Sequence, residues 1–437
     1  MNEAVSNVNL IGSIFIAVMG IMILFLPRRF AVLPVMMTAC YITLGQVVGV
    51  GPLHFSMMRV IIFFGCLRVI LRKEFREITF NSIDKITIAY VLTSTIIYYL
   101  LRQNAEAFIN SLGFVYNALG LYFIFRAIVR DENDYYLIFK MLAFVMVPLA
   151  FSMLVEKSTG RNFFSIFGGV PEFTMVREGK LRCQGAFSHP ILAGTFGATS
   201  VPFFISLWVK GTGYKLAAII GLISATVIAV TPSSSGPATT YAIVIIGFFM
   251  WRLRDNMRAI RWLALFMLIA LHLVMKAPVW ALIGKLSEVI GGGGWHRVML
   301  IDAAIDHFNE WWLLGTDFTL HWMPTGVTWS DKHTDITNHF IGIGIRGGLL
   351  SVIIFVASLV YCFKTIGIKM KEIDPADFPL KFTIWCLGVS LSAHIASFLS
   401  VAYFDQIIVF WYLLLAMIAA LGVRETKLVD SFTPKNI

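Results

Sequence analysis

Residues 136–155 read YLIFKMLAFVMVPLAFSMLV, a run of 20 residues in which Lys140 is the only charge. That length matches the ~20 apolar residues needed to cross a ~30 Å hydrocarbon core. An amphipathic helix of a soluble protein would instead carry an apolar stripe on one face and polar residues on the other. Comparable blocks recur through the 437 residues, of which 58% are hydrophobic and only 14% charged. The sequence therefore predicts an all-α, polytopic transmembrane helix bundle, one integral membrane domain over residues 1–437. The net charge of +10 does not signal nucleic acid. The basic residues sit in short clusters between apolar blocks, where they orient a membrane protein, and no compact nucleic-acid motif is present. The five cysteines show no C-x-x-C spacing and read as small buried hydrophobes. The first block, Leu10 to Leu26, lacks a basic stretch before it and a small-residue cleavage site after it, so it is read as a retained span.

The apolar blocks give 12 to 13 spans: 8–26, 30–50, 54–71, 84–101, 107–128, 136–155, 189–209, 214–231, 236–252, 259–275, 337–362, 380–400 and 404–423. Basic residues mark every second connection, from Arg28 and Arg29 through Arg72, Arg126, Lys210, Arg252 and Lys364 to Arg424 and Lys427. Short basic loops stay in the cytoplasm. Two long polar loops, 156–188 and 276–336, then share the outer side, and loops of that length are usually functional.

Polar chemistry collects toward that side. Arg59, His272, Arg346, His394 and Asp405 lie at a common outer depth. Ionisable groups in hydrocarbon face a bundle interior or a wet cavity, so one outward-opening cavity is expected. The first loop carries Arg161, Arg177, Lys180 and Arg182, followed by His189-Pro190. Guanidinium forks match phosphate oxygens, and such a cluster suits a diphosphate in the headgroup plane; attraction to anionic lipid is the plainer explanation. TPSSSGPATT places Ser233, Ser234, Ser235 and Gly236 in a tight turn that either permits a reversal or offers amides and hydroxyls to an anion. In the second loop, Gly291 to Gly294 precede Trp295-His296-Arg297 and a helical run with Ala303, His307 and Trp311 on one face and Asp302, Asp306 and Asn309 on another. Asp302, Asp306 and His307 form no compact ligand set, so no metal site and no cofactor are expected. Farther on, His339, Gly342 and Arg346 follow Asn338 on one helical face.

Four segments taken together resemble a known family: RCQGAFSHPILAG (Arg182 to Gly194), SSSG (Ser233 to Gly236), HRVMLIDAAIDHFNEWWLLGTD (His296 to Asp317) and TNHFIGIGIRGG (Thr337 to Gly348). In order, spacing and common side they are similar to the O-antigen ligase and polysaccharide polymerase superfamily, membrane glycosyltransferases that use polyprenyl-diphosphate-linked glycans. The family's first-loop arginine falls on Arg182 and its large-loop arginine on Arg297. Its His-Asn pair falls on Thr337-Asn338, where threonine replaces histidine and a histidine follows two places later, at His339. Two residues are a turn of roughly 200°, so His339 needs a different local geometry to serve the same role.

The resemblance implies a GT-C-like bundle in the cytoplasmic (inner) membrane with its active site facing the periplasm or cell exterior. The implied reaction is an inverting transfer that uses neither a nucleotide sugar nor a metal. A polyprenyl-diphosphate-linked oligosaccharide donates to a glycan acceptor, with other polysaccharide assembly proteins as partners. Arg182 and Arg297 would neutralise the leaving diphosphate. His339, and after it His189, would take the proton from the acceptor hydroxyl. Arg161, Arg177, Ser234, Ser235, Asn338 and Arg346 would bind substrate. Polymerase action is the leading expectation and ligation to a lipid or protein acceptor the alternative. A transporter or flippase is the rival of another class, although no matching pair of broken helices is evident.

Overall fold

The computed structural model describes residues 7–50, 53–290, 294–327 and 330–422. Gly291 to Gly293, Thr328, Trp329 and the basic pair Arg424 and Lys427 lie outside the described residues. The chain builds an all-α protein whose first half comprises α1 (Leu10–Phe25), α2 (Val32–Tyr41), α3 (Met57–Leu71), α4 (Ser82–Arg102), α5 (Ala105–Ile128), α6 (Glu132–Thr159), α7 (Pro190–Lys210) and α8 (Lys215–Val230). The second half comprises α9 (Ser235–Phe249), α10 (Met257–Val274), α11 (Ala281–Ile290), α12 (Gly294–Asp306), α13 (Phe308–Trp311), α14 (His339–Glu372), α15 (Phe378–Phe398) and α16 (Ile407–Leu421).

Among the described residues, eight helical runs are long and apolar enough to cross a membrane, and α1 and α16 are shorter apolar helices. This is consistent with a multi-pass membrane bundle, but with fewer full-length spans than the 12 to 13 expected. Two local causes account for the difference. The block at 30–50 is helical only through α2, because the β-branched stretch at 47–50 becomes a strand, β1, that pairs antiparallel with β2 (Leu53–Ser56). That hairpin also takes the start of the block expected at 54–71. The blocks at 236–252 and 259–275 are joined by a 3-10 segment, Met250–Asn256, into one apolar run, Ser235–Val274.

Helix α16 is the axis of the bundle. Every one of its residues except Ile408 is buried, as expected of a helix that is hydrophobic all round. Helix α7 packs against α8 through small residues: a Cβ at Gly197 would lie 2.6 Å from the Ala225 carbonyl oxygen of α8. Small residues at such positions let helix backbones approach closely.

The two ends of the bundle differ. At one end, buried ion pairs tie helices together: Arg28 to Asp134 at 2.6 Å, Arg68 to Glu74 at 2.9 Å and Arg126 to Asp84 at 2.7 Å. At the other end the loops meet one another. Gln46 Nε2 donates to the Phe167 carbonyl, Gln406 Nε2 to the Ala186 carbonyl, and Arg297 Nε to the Ser400 carbonyl. Both long loops therefore gather at the same end, as the alternation of basic connections predicts.

Candidate anion-binding site

The first loop is held by one carboxylate. Glu156, buried at the end of α6, accepts the backbone N–H groups of Gln184 and Gly185 and the Thr174 hydroxyl. Gly185 turns with φ +57, and a Cβ there would sit 2.7 Å from Leu149. The chain leaving this anchor presents Arg182, 5% exposed, whose Nη2 lies 3.5 Å from the Ser234 hydroxyl. Ser234 is the N-cap residue of α9, yet its hydroxyl does not cap its own helix. Next to it, Ser233 accepts a 2.7 Å hydrogen bond from Lys157 Nζ, which also donates to the Leu181 carbonyl.

The second loop brings Arg297 from α12. Its side chain is buried, and Nε donates to the Ser400 carbonyl at 3.3 Å. Ser400 faces the first turn of α9, since a Cβ on Gly236 would lie 3.1 Å from its hydroxyl. Arg297 is held below the usual guanidinium pKa by burial and by the charges of Arg177 and Arg182. Arg182 is lowered by burial and by Arg177, with Glu178 acting the other way. Neither Arg182 nor Arg297 has a carboxylate partner among the described residues. Buried cations are ordinarily paired, so two guanidiniums without an ion-pair partner beside serine hydroxyls and a helix N-terminus are a candidate site for a multiply charged anion.

His189 belongs to the same neighbourhood. It is the N-cap of α7, and its Nδ1 accepts the Ile191 N–H at 3.2 Å. Burial, and then Arg182, push it down to about 4. A neutral ring whose Nδ1 is an acceptor carries its proton on Nε2 and is a donor toward anything on that side. Arg177 is half exposed, 3.6 Å from Glu178, and reaches the cluster through its charge. Ser235 is buried as the first residue of α9.

Three residues expected at a substrate site lie elsewhere. Arg161 is exposed, pairs with Glu172 at 3.7 Å and covers the Phe173 ring. Asn338 caps α14 by accepting the Phe340 and Ile341 N–H groups. Arg346 sits over the rings of Tyr98 and Phe114, 4.3 and 4.6 Å from their centroids, and its Nε has no hydrogen-bond partner. His339 packs against Phe398 and Tyr403, and its Nδ1 accepts the Tyr403 N–H at 3.1 Å. Like His189, it is left with Nε2–H as a donor.

The single cavity expected from the common depth of five ionisable residues is not what forms. His394 bonds to the Tyr403 hydroxyl at 2.6 Å, His272 stacks near Trp280, and Arg346 has its aromatic cage. Only Arg59 and Asp405 share a space, a cavity of about 300 Å³ lined also by Thr43, His54, Asn117 and Gln406. The side-chain oxygen of Asn117 is buried without a partner. Asp405 holds φ +60 and is raised to about 6 by burial, with Ser188, the neighbour of His189, acting the other way; the Ser188 hydroxyl donates to Gln406 Oε1 at 3.3 Å. The segment from Ser400 to Gln406 thus links the arginine cluster, where Ser400 accepts from Arg297, to this cavity, which Asp405 and Gln406 line.

Lys157, Ser400 and Gln406 were not recognised in the sequence. Lys157 and Gln406 lie at the edges of apolar blocks, and Ser400 acts through its backbone carbonyl, for which the sequence holds no signal. No protein-family model, curated protein or solved structure matches the chain.

Proposed function

We propose that the protein is a GT-C-like membrane glycosyltransferase acting as a polysaccharide polymerase at the outer face of the cytoplasmic membrane. The donor is a polyprenyl-diphosphate-linked oligosaccharide and the nucleophile is an acceptor sugar hydroxyl. The observation that carries this reading is the convergence of buried, carboxylate-free Arg182 and Arg297 on Ser234 and Ser400. A cleft of this kind is preorganised for charge that grows on a departing diphosphate.

In the proposed step, the acceptor oxygen bonds to the anomeric carbon as the bond from that carbon to the phosphate oxygen breaks. The electron pair leaves with the polyprenyl diphosphate, whose added charge Arg182 and Arg297 take up. The acceptor proton goes to a base. His339 and His189 were the sequence-based choices, but each uses its Nδ1 lone pair on a backbone N–H. Their Nε2–H groups suit hydrogen bonding to substrate oxygens. Asp405 is the proton acceptor in this reading, with the acceptor sugar seated in the 300 Å³ cavity it lines. A carboxyl raised to about 6 is well matched to general-base work near neutral pH.

The broken helix α14 is the feature that favours a transporter instead. Gly347 and Gly348 leave helical geometry within its first third, a break of the kind discontinuous transporter helices show nearer the midplane. Here, however, the freed backbone groups are taken by the loop, with Leu349 N–H donating to the Trp312 carbonyl and Thr316 N–H to the Ile345 carbonyl. They do not line an open path. The deciding experiment supplies purified protein in liposomes with a polyprenyl-diphosphate repeat unit. A ladder of lengthening products is expected. Product only after a lipid or protein acceptor is added would make it a ligase, and flipping without a new glycosidic bond would overturn the reading.

A further inference from the structure

As the sequence leads one to expect, His307 forms no ligand set with Asp302, which accepts the Trp280 indole N–H at 2.7 Å. His307 turns toward other partners. Its Nδ1 is 2.7 Å from Glu310 Oε1, and His321 Nε2 lies 3.1 Å from both Glu310 oxygens. One ligand atom from each residue falls within 4.8 Å of the others, and among the described residues no other three His, Cys, Asp or Glu side chains do so. We propose that His307, Glu310 and His321 form a zinc-class divalent metal site in the large loop, with a fourth coordination position left open.

The chemistry of the set fits that ion. Zinc accepts imidazole nitrogen and carboxylate oxygen at roughly 2.0–2.2 Å, which puts neighbouring ligand atoms of a tetrahedral site about 3.3 Å apart. The observed separations need only small side-chain adjustments to admit an ion between them. Two histidines and one carboxylate also make the ligand number of an open zinc site. The ligands are held from behind. Trp322 Nε1 donates to Glu310 Oε2 at 3.0 Å, so the outer oxygen is occupied and Oε1 faces the histidines. The His307 ring stacks on Trp322 with an interplanar angle of 5°, and the His321 ring on Phe318 with 13°. Support of this kind fixes ligand orientation and strengthens binding.

The site has a structural consequence of its own, whatever the arginine cluster does. His307 is the N-cap of α13 and His321 lies in a separate 3-10 turn, so one ion clips together parts of the loop that are 14 residues apart in sequence. Trp322 beneath it belongs to the loop's own core with Leu300, Ala303 and Ala304 of α12, the helix that carries Arg297.

The test uses the full-length protein in detergent, stripped of metal and freed of any affinity tag, titrated with Co²⁺ and with Zn²⁺. One equivalent of Co²⁺ should bind with visible ligand-field bands, Zn²⁺ should displace it, and Zn²⁺ should raise the melting temperature. His321→Ala should weaken binding by about a hundredfold or more, since even supporting residues change affinity 10–100-fold. Glu310→Gln, which keeps an acceptor for Trp322, should do the same without lowering the metal-free melting temperature. Absence of stoichiometric binding to the wild type, or undiminished binding to both variants, would overturn the site.

Discussion

Arg182 and Arg297 are costly residues to bury, and under the proposed function the bound diphosphate recovers that cost. Replacing either by alanine should lower turnover by about a hundredfold or more, the scale of one lost donor to developing negative charge. Lysine should restore part of the rate, because it returns the charge without the planar fork. The comparison requires equal amounts of each variant in the membrane; a variant retaining half the wild-type rate would lose its assigned role. Asp405 gives a separate signature. Its carboxyl, raised from 3.8 to about 6, must be ionised to accept a proton. Turnover should therefore climb with pH up to about 6 and level off above it, and Asp405→Asn should abolish both the rate and the inflection. The same shift acts on folding in the opposite sense. The folded state binds this proton more tightly than the unfolded chain, so the group's contribution to stability falls as pH rises from about 4 to 6. At this scale the sequence was informative about charge and poor at geometry. Arg182, Arg297, His189 and Ser234 do gather in space, because each motif sits at a helix start or loop anchor. Which lone pair of His339 or His189 is free depends on the backbone N–H groups of Tyr403 and Ile191, and no spacing encodes that.

Helix α14 shows where the reading of an element succeeds and where it stops. Its outer start was expected at 337 and begins at His339, capped by Asn338. Its apolar run was expected to end at 362 but continues to Glu372, because charged residues in the last turns are compatible with helix once the apolar face remains packed. The break at Gly347 and Gly348 was visible only as two small residues. Its cause lies 35 residues away from Gly348, at Leu313, in the loop backbone that enters beside it. A Cβ on Gly348 would meet the Leu313 carbonyl oxygen at 2.3 Å, and its φ of +66 disfavours any side chain. Gly348→Ala should therefore destabilise the protein by at least about 1–3 kcal/mol, the scale of left-handed strain alone. Gly342→Ala, on the same helix, would make only ordinary contacts at 3.8 and 4.0 Å and should be close to neutral. Thermal melts of the two purified variants check the contrast. A similar melting temperature for both would mean that the break is dispensable.

Across the whole molecule, arginine is used in opposite ways at the two ends. Arg126 is buried against Asp84, which also accepts the Tyr122 hydroxyl at 2.7 Å, and Arg68 is buried against Glu74. The first pair joins the consecutive helices α4 and α5, the second ties the end of α3 to the turn that follows it, and in both the charges are satisfied. Arg182 and Arg297 at the other end have serine and carbonyl neighbours but, among the described residues, no carboxylate in ion-pair contact. Composition and periodicity made the bundle legible, and the alternation of basic loops put both long loops at one end. Neither distinguishes an arginine whose partner is 42 residues away in the chain, as Asp84 is from Arg126, from one whose partner is a substrate. Stability measurements do distinguish them. Asp84→Asn leaves a buried guanidinium without its counter-charge and should cost about 3–5 kcal/mol, with a clear drop in melting temperature. Arg297→Met removes a buried charge that has no counter-charge to strand, so ligand-free stability should hold or rise while turnover is lost. Adding the lipid diphosphate should then raise the melting temperature of the wild type and leave that of Arg297→Met unchanged, because only a ligand that binds the folded state stabilises it. If Arg297→Met melted far below the wild type without ligand, Arg297 would belong with the structural arginines of the opposite end, and the anion site would rest on Arg182 alone.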